Sequence, residues 1–115
     1  MNIKELQTKL ADAPEAIEFT DVMALIDSLY EFHPAAFTNG DQHNEAGQNN
    51  GSCKLFAFAR LQGLNEQETL ACFGAFYRDD VLGNPDGDDH QNIRNFMKTG
   101  WLGIEFHGDA LSAKG

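Results

Sequence analysis

Residues 53–61 constrain the fold more than any other part of the chain. They read CKLFAFARL, and only Lys54 and Arg60 interrupt an apolar run that covers most of a helical circumference. A helix that is apolar nearly all round is usually buried at the centre of a protein. Gly63 is well placed to end this helix in a left-handed cap. The pattern predicts a central helix that other amphipathic segments must surround.

Other segments show the apolar spacing of amphipathic helices. One begins at Thr20, a good N-cap residue, and ends before Pro34. Another opens with Asn65 and Glu68, which are spaced as in a capping box. Besides a short helical turn over residues 14–17, the predicted helices cover about residues 2–11, 20–33, 53–62, 65–77 and 90–99. Asp88 or Asp89 is expected to cap the last of these helices, and Gly100 to stop it.

Two short segments have the character of strands. The segment AFTN precedes an Asn-Gly turn, and GIEF alternates apolar and polar residues near the C-terminus. We expect the two to pair and to pack on the helices, because an isolated pair of strands is marginally stable. The predicted fold is mainly α, with about five helices around one core and a short two-stranded β element (α+β). Residues 1–109 are expected to form one domain, and residues 110–115 a disordered tail.

Charge and composition exclude several classes of function. Eighteen Asp and Glu against eight Lys and Arg give a net charge of −10, which repels nucleic acid and anionic membrane surfaces and leaves a basic partner open. No apolar stretch approaches the ~20 residues of a membrane-spanning helix, and the N-terminus lacks the apolar core of a signal peptide. Two cysteines favour free thiols in a reducing cytoplasm over a disulfide scaffold.

The longest loop and the start of the last helix form the candidate binding surface. Residues 39–52 consist almost entirely of turn-forming and polar residues, and loops of this length are often functional. The alternative is structural: polar side chains of the last helix satisfy the backbone of the loop. The candidate binding residues are Asn39, Asn49, Asn50, Lys54, Gln91, Arg94 and Asn95.

Cys53 supports two opposed interpretations. As a residue at a helix start beside Lys54, its thiolate would be favoured by the helix dipole. A hydrolase or transferase would then use Cys53 as nucleophile and His90 as base, with Asp88 or Asn92 as a third member. Alternatively, Cys53 is a small residue that packs at the start of the central helix.

No metal or cofactor is predicted. The segment NPDGDDH contains carboxylates and His90, but its spacing departs from a calcium-binding loop at the glycine and the final glutamate. Neither cysteine has the spacing of a zinc ligand. The aromatic residues are expected to form the core, namely Phe56, Phe58, Phe73, Phe76, Tyr77, Phe96 and Trp101.

Longer strings in the sequence carry a family resemblance. The segments AGQNNGSCKLFAFARL, TLACFGAFYRDDVL and NPDGDDHQNIRNFMKTGW, together with AFTNG and GIEF, resemble the HopJ type III effector family over about residues 30–108. The family is named after proteins that plant-pathogenic bacteria inject into host cells, so the resemblance implies secretion by a type III system. It implies no catalytic residue. We therefore expect a monomeric or weakly dimeric, non-enzymatic domain that binds a protein partner, with the Cys53 enzyme as the alternative. A third interpretation, a housekeeping protein of the bacterial cytoplasm that binds a small molecule, stays open beside the first.

Overall fold

The computed structural model describes residues 1–114. Its α-helices are α1 (Ile3–Asp12), α2 (Phe19–Leu29), α3 (Asn50–Gln62), α4 (Glu66–Ala71) and α5 (Gln91–Thr99). Short 3₁₀ segments follow α1 and α5 at Pro14–Ala16 and Gly100–Gly103, and a π-helical segment covers Phe76–Val81. Among the described residues, no helix is long and apolar enough to cross a membrane.

Two small antiparallel sheets accompany the helices. Strand β2 (Phe37–Asn39) pairs with β3 (Gln42–Asn44) on one side and with β4 (Ile104–Phe106) on the other. The predicted pairing of AFTN with GIEF is confirmed, because Phe37 lies opposite Phe106. The prediction missed β3, which the turn at Gly40 brings back beside β2. The mainly helical α+β class is confirmed.

The prediction of a disordered tail over residues 110–115 is wrong for the described part of that segment. Strand β5 (Leu111–Ala113) pairs antiparallel with β1 (Tyr30–Phe32), and both Ala110 and Leu111 are buried. Three residues with only two apolar members gave too short a pattern to identify a strand. The second sheet forms because β1 directly follows α2 and offers a free edge. Gly115, the last residue of the predicted tail, lies outside the described residues.

Helix α3 occupies the centre, as its composition predicted. Cys53 and the apolar residues from Leu55 to Ala59 are buried. The ring of Phe56 lies within aromatic packing distance of four others, with centroid distances of 4.9 Å to Phe96, 5.4 Å to Phe73, 6.1 Å to Phe37 and 6.4 Å to Trp101. Phe76 departs from the predicted core, since its side chain is 41% exposed.

The predicted helix over residues 65–77 is broken. Its capping box at Asn65 and Glu68 is present, but α4 ends at Ala71. Gly74 then has a φ of +63°, and a Cβ there would lie 2.8 Å from the backbone nitrogen of Phe19. This close approach needs glycine and a left-handed turn, so the chain leaves the helix and re-forms it as the π-helical segment.

Two predicted N-caps are also wrong. Helix α2 begins at Phe19 with Glu18 as N-cap, so Thr20 lies inside its first turn. The N-cap of α5 is His90 rather than Asp88 or Asp89. Asp89 instead accepts a hydrogen bond from Arg94, which holds it away from the cap position. Gly100 ends α5, as predicted.

Candidate functional site

A cleft of about 470 Å³ opens where the first turns of α3 and α5 meet. One side is aromatic and the other is polar, which is typical of sites that bind organic ligands. The residues that line it are Phe19, Gln42, Asn49, Gly51, Ser52, Phe73, Phe76, His90, Gln91, Asn92 and Ile93. The tertiary fold thus brings together the long polar loop and the start of the last helix.

The two helices that begin at the cleft lack side-chain caps. The N-cap residues Asn49 and His90 have φ values of 52° and 49°, and no other non-glycine residue described by the structure has a positive φ. Neither caps its helix with a side chain, whereas Asn65 caps α4. The first hydrogen-bonded amides are Cys53 and Arg94. The preceding N–H groups of both helices are therefore free to donate to a ligand.

The aromatic wall consists of Phe19, Phe73 and Phe76. Phe19 stacks on Phe73 at 6.1 Å and meets Phe76 edge to face at 5.2 Å. Gly51 faces this wall, because a Cβ on it would lie 3.0 Å from Cζ of Phe19. The absence of a side chain at Gly51 keeps this part of the cleft open.

His90 links the aromatic wall to an acidic edge. Its Nε2 donates to Oδ2 of Asp80 at 3.0 Å and lies 4.0 Å from Oδ2 of Asp89. Its ring lies 5.2 Å from the ring of Phe76. The imidazole is therefore held in place by a carboxylate on one side and an aromatic ring on the other.

A buried network of asparagine side chains supports the cleft. Oδ1 of Asn44 accepts hydrogen bonds from Asn92, Asn49 and Gln42 at 3.1, 2.7 and 3.0 Å. Its Nδ2 donates to Oδ1 of Asn92 and to the carbonyl oxygen of Phe37. Asn44 is thus the hub that ties β3, the loop and α5 together.

Asn39 extends the network into β2. Its Nδ2 donates to the carbonyl oxygen of Asn92 at 2.7 Å, and its own carbonyl oxygen accepts from Asn95 at 3.3 Å. Within residues 1–114, Oδ1 of Asn39 is the one buried side-chain polar atom without a hydrogen-bond partner. These hydrogen bonds support the alternative interpretation, in which Asn39, Asn92 and Asn95 have a structural role and do not contact a ligand.

The predicted binding residues separate into three groups. Asn49 and Gln91 line the cleft, and Asn50 is exposed at the start of α3. Asn39 and Asn95 contribute hydrogen bonds beneath it. The two cationic members have local partners instead: Lys54 binds Asp27 at 2.9 Å, and Arg94 binds Asp89.

Arg94 holds the segment that precedes α5. Its guanidinium is buried and donates to the carbonyl oxygen and to Oδ1 of Asp89, both at 2.6 Å, and to the carbonyl oxygen of Pro85. The hydrogen bond from Arg94 to the carboxylate of Asp89 lowers the pKa of that carboxyl group below its ordinary value. Asp88 contributes its carbonyl oxygen, which accepts from Gln91. Arg94 therefore positions His90 through the backbone rather than facing a ligand.

Cys53 does not have the environment of a nucleophile. Helix α3 begins three residues earlier than predicted, so the thiol lies beyond the free N–H groups. The side chain is 1% exposed, and Sγ donates to the carbonyl oxygen of Ala35 at 3.6 Å. Burial raises the pKa of the Cys53 thiol, although the hydrogen bond at Ala35 acts in the opposite direction. His90 has its hydrogen bond with Asp80, not with Cys53.

Both thiols are therefore expected to resist alkylation in the folded protein. Burial, with a smaller effect of Glu68, raises the pKa of Cys72 to about 12. Because the unfolded thiol ionises at its ordinary pKa of 9.0 and the folded thiol only near 12, the fold loses stability as the pH rises from 9.0 toward 12. Iodoacetamide labelling followed by mass spectrometry, with and without urea, should show modification of both cysteines only after unfolding. Rapid labelling of native Cys53 at neutral pH would contradict the packing interpretation.

Several residues of the site escaped the sequence analysis. Asn44 is the hub of the network, Asp80 orients His90, and Phe19, Gln42 and Ser52 line the cleft. Asn44 and Gln42 lay within the polar segment, but β3 was not recognised there. Phe19 is apolar and belongs to no motif that indicates a site. Only the contact of its backbone with Gly74 places it beside the cleft.

The geometry defines a small α+β protein with a cleft built on a buried amide network. The chain belongs to the HopJ type III effector protein family, whose model matches residues 3–111. It is also similar to a solved structure titled "Crystal structure of unknown function protein VPA0580", with 57% sequence identity and a TM-score of 0.95. That match covers 99% of this chain and 95% of the other. No curated protein matches the chain.

Proposed function

We propose that this HopJ family protein acts without catalysis, by binding a segment of a partner protein in the cleft between α3 and α5. The observation that carries the proposal is the cleft itself, in which an aromatic wall faces two uncapped helix starts. By its family, the protein would reach its partner through a type III secretion system. If the protein is not found in the culture medium of a bacterial strain that has an active type III secretion system, that part of the proposal is contradicted.

A peptide segment has both kinds of group that the cleft can bind. An apolar side chain would pack against Phe19, Phe73 and Phe76, because burial of apolar surface is the main favourable term in association. The peptide carbonyl oxygens would accept from the N–H groups of Gly51 and Gln91, which have no backbone acceptor within residues 1–114. The arrangement supports recognition of main chain and side chain together.

The buried network supports such a role because it makes the cleft rigid. Asn44 and Asn92 hold the loop against α5 through reciprocal side-chain hydrogen bonds. A preformed cleft loses little conformational entropy when a ligand binds. The enzyme alternative has weaker support, since the buried Cys53 has a raised pKa and lacks a neighbouring base.

Phe76→Ala is the direct test. Peptides would be selected on the full-length protein from a random-peptide library displayed on phage, then synthesised and titrated. Loss of the exposed ring should weaken their binding about tenfold or more, as for an aromatic anchor worth ≥ ~1.4 kcal/mol. The expected loss in melting temperature is small, because Phe76 is only partly buried.

Leu102→Ala is the matched control for this measurement. Leu102 is 100% exposed and does not line the cleft, so its truncation removes a similar apolar group elsewhere. Peptide binding should be unchanged in this variant. If no selected peptide distinguishes Phe76→Ala from Leu102→Ala, the cleft is not the binding site and the proposal fails.

A further inference from the structure

We infer that the segment bound in the cleft is basic, with Arg or Lys next to an apolar anchor residue. This inference rests on the proposed function and adds the chemistry of the partner. It comes from the charges around the cleft, from an adjoining pocket and from the exposed aromatic face.

Carboxylates lie at one end of the cleft. Asp80 and Asp89 both lie within 4.0 Å of the imidazole of His90, which lines the cleft. The side chains of Asp80 and Asp89 are 47% and 53% exposed, so a ligand has access to them. They belong to an acidic stretch that also contains Asp79, Asp86 and Asp88.

A third carboxylate, that of Glu18, lies beyond the aromatic wall. A smaller pocket of about 120 Å³ shares Phe19 and Phe76 with the cleft, and it is also lined by Glu18, Thr20 and Ala75. The pair of rings therefore forms a ridge between the two pockets. A peptide lying across this ridge would have an acidic residue near each end, Asp80 on one side and Glu18 on the other.

Cationic side chains are missing from both linings. Neither pocket is lined by Lys or Arg. Arg94 is paired with Asp89, and Arg78 donates to the carbonyl oxygen of Ile17 at 2.8 Å. With a net charge of −10 for the chain, the cleft favours a cationic ligand over an anionic one.

The aromatic ridge suits a guanidinium in particular. Phe76 is exposed beside the carboxylate of Asp80, which binds His90 next to the ring. A guanidinium can stack on an aromatic face and donate to a carboxylate at the same time. The free N–H groups of the two helix starts remain available for the peptide carbonyl oxygens, so the main chain of the peptide, and not its cationic side chain, would lie against the partial positive charge there.

The test combines library selection with two matched charge variants. Peptides selected from the phage-displayed random library on the wild-type protein should be enriched in Arg or Lys beside an aromatic or aliphatic residue. Asp80→Asn should weaken their binding about threefold to fivefold, which corresponds to one partly exposed ion pair. Adding Glu18→Gln should weaken it further, and higher salt concentration should reduce the difference between the variants.

Asp12→Asn is the control, because it removes the same charge from the end of α1, away from both linings. Equal weakening by Asp12→Asn and Asp80→Asn would overturn the inference, since only the net charge would then matter. Selected peptides that are neutral or acidic, yet lose affinity in Phe76→Ala, would overturn the inference and leave the proposed function standing. Selected peptides that are insensitive to Phe76→Ala would overturn both.

Discussion

Phe56→Ala is expected to lower the free energy of unfolding by about 3 to 5 kcal/mol, the range for a fully buried phenylalanine. The ring lies at the centre of the protein, where α3 meets β2, α5 and the turn that follows α4 through aromatic contacts. Its removal loses the transfer free energy of the ring and leaves a cavity among rigid neighbours. Because stabilities of small proteins are about 5 to 15 kcal/mol, a large part of the total would be lost.

Urea denaturation followed by circular dichroism measures this effect. Phe56→Leu retains much of the side-chain volume and should cost less, which keeps the prediction testable if the alanine variant does not fold. Leu102→Ala, at a fully exposed position, should change the stability by no more than about 0.5 kcal/mol. A loss below about 1 kcal/mol in Phe56→Ala would contradict the central position of this ring.

Asn44→Ala is expected to cost about 2 to 4 kcal/mol, because it removes all five hydrogen bonds of the Asn44 side chain and leaves the buried Nδ2 of Asn92 without its acceptor. The variant would remove the acceptor of Nδ2 of Asn92 and the donors to Oδ1 of Asn92 and to the carbonyl oxygen of Phe37. Unsatisfied buried groups retain their desolvation cost, so the loss exceeds the net value of a single hydrogen bond. The same variant should loosen the loop against α5.

The matched control is Gln42→Ala, which removes one hydrogen bond to Asn44 from a partly exposed side chain. Water can replace that donor, so its cost should be near 1 kcal/mol or less. In the double variant Asn44→Ala with Asn92→Ala, the combined loss should be smaller than the sum, because the groups left unpaired by one substitution are removed by the other. Strict additivity would contradict the network.

Local patterns in the sequence were sufficient to predict the central helix and several features of the segments around it. The apolar circumference of residues 53–61 required burial on every side, and α3 is buried there. The capping box at Asn65 and the stop at Gly100 depend on a few neighbouring residues, and both are confirmed. The strands β2 and β4 were recognised from local signals, an Asn-Gly turn and an alternating segment, and their pairing followed because they were the two strands predicted.

The errors occurred where distant contacts determine the conformation. Gly74 turns the chain because the backbone of Phe19 lies against it, and no pattern near Gly74 contains that information. Asp89 fails to cap α5 because the buried Arg94 engages its carboxylate. Strand β5 exists only because β1 offers an edge more than seventy residues earlier in the chain.

The sequence by itself determined the family, through its resemblance in several long strings, and also the helical core and the acidic character, which depend on local periodicity and composition. It also marked the polar loop and the start of the last helix as the candidate surface. Only the tertiary structure decided which of those side chains are buried in the network, such as Asn39 and Asn44, and which line the cleft, such as Asn49 and Gln91. The physical reason is that an asparagine has the same polarity in either place, and its role depends on the partners that the fold brings within hydrogen-bond distance.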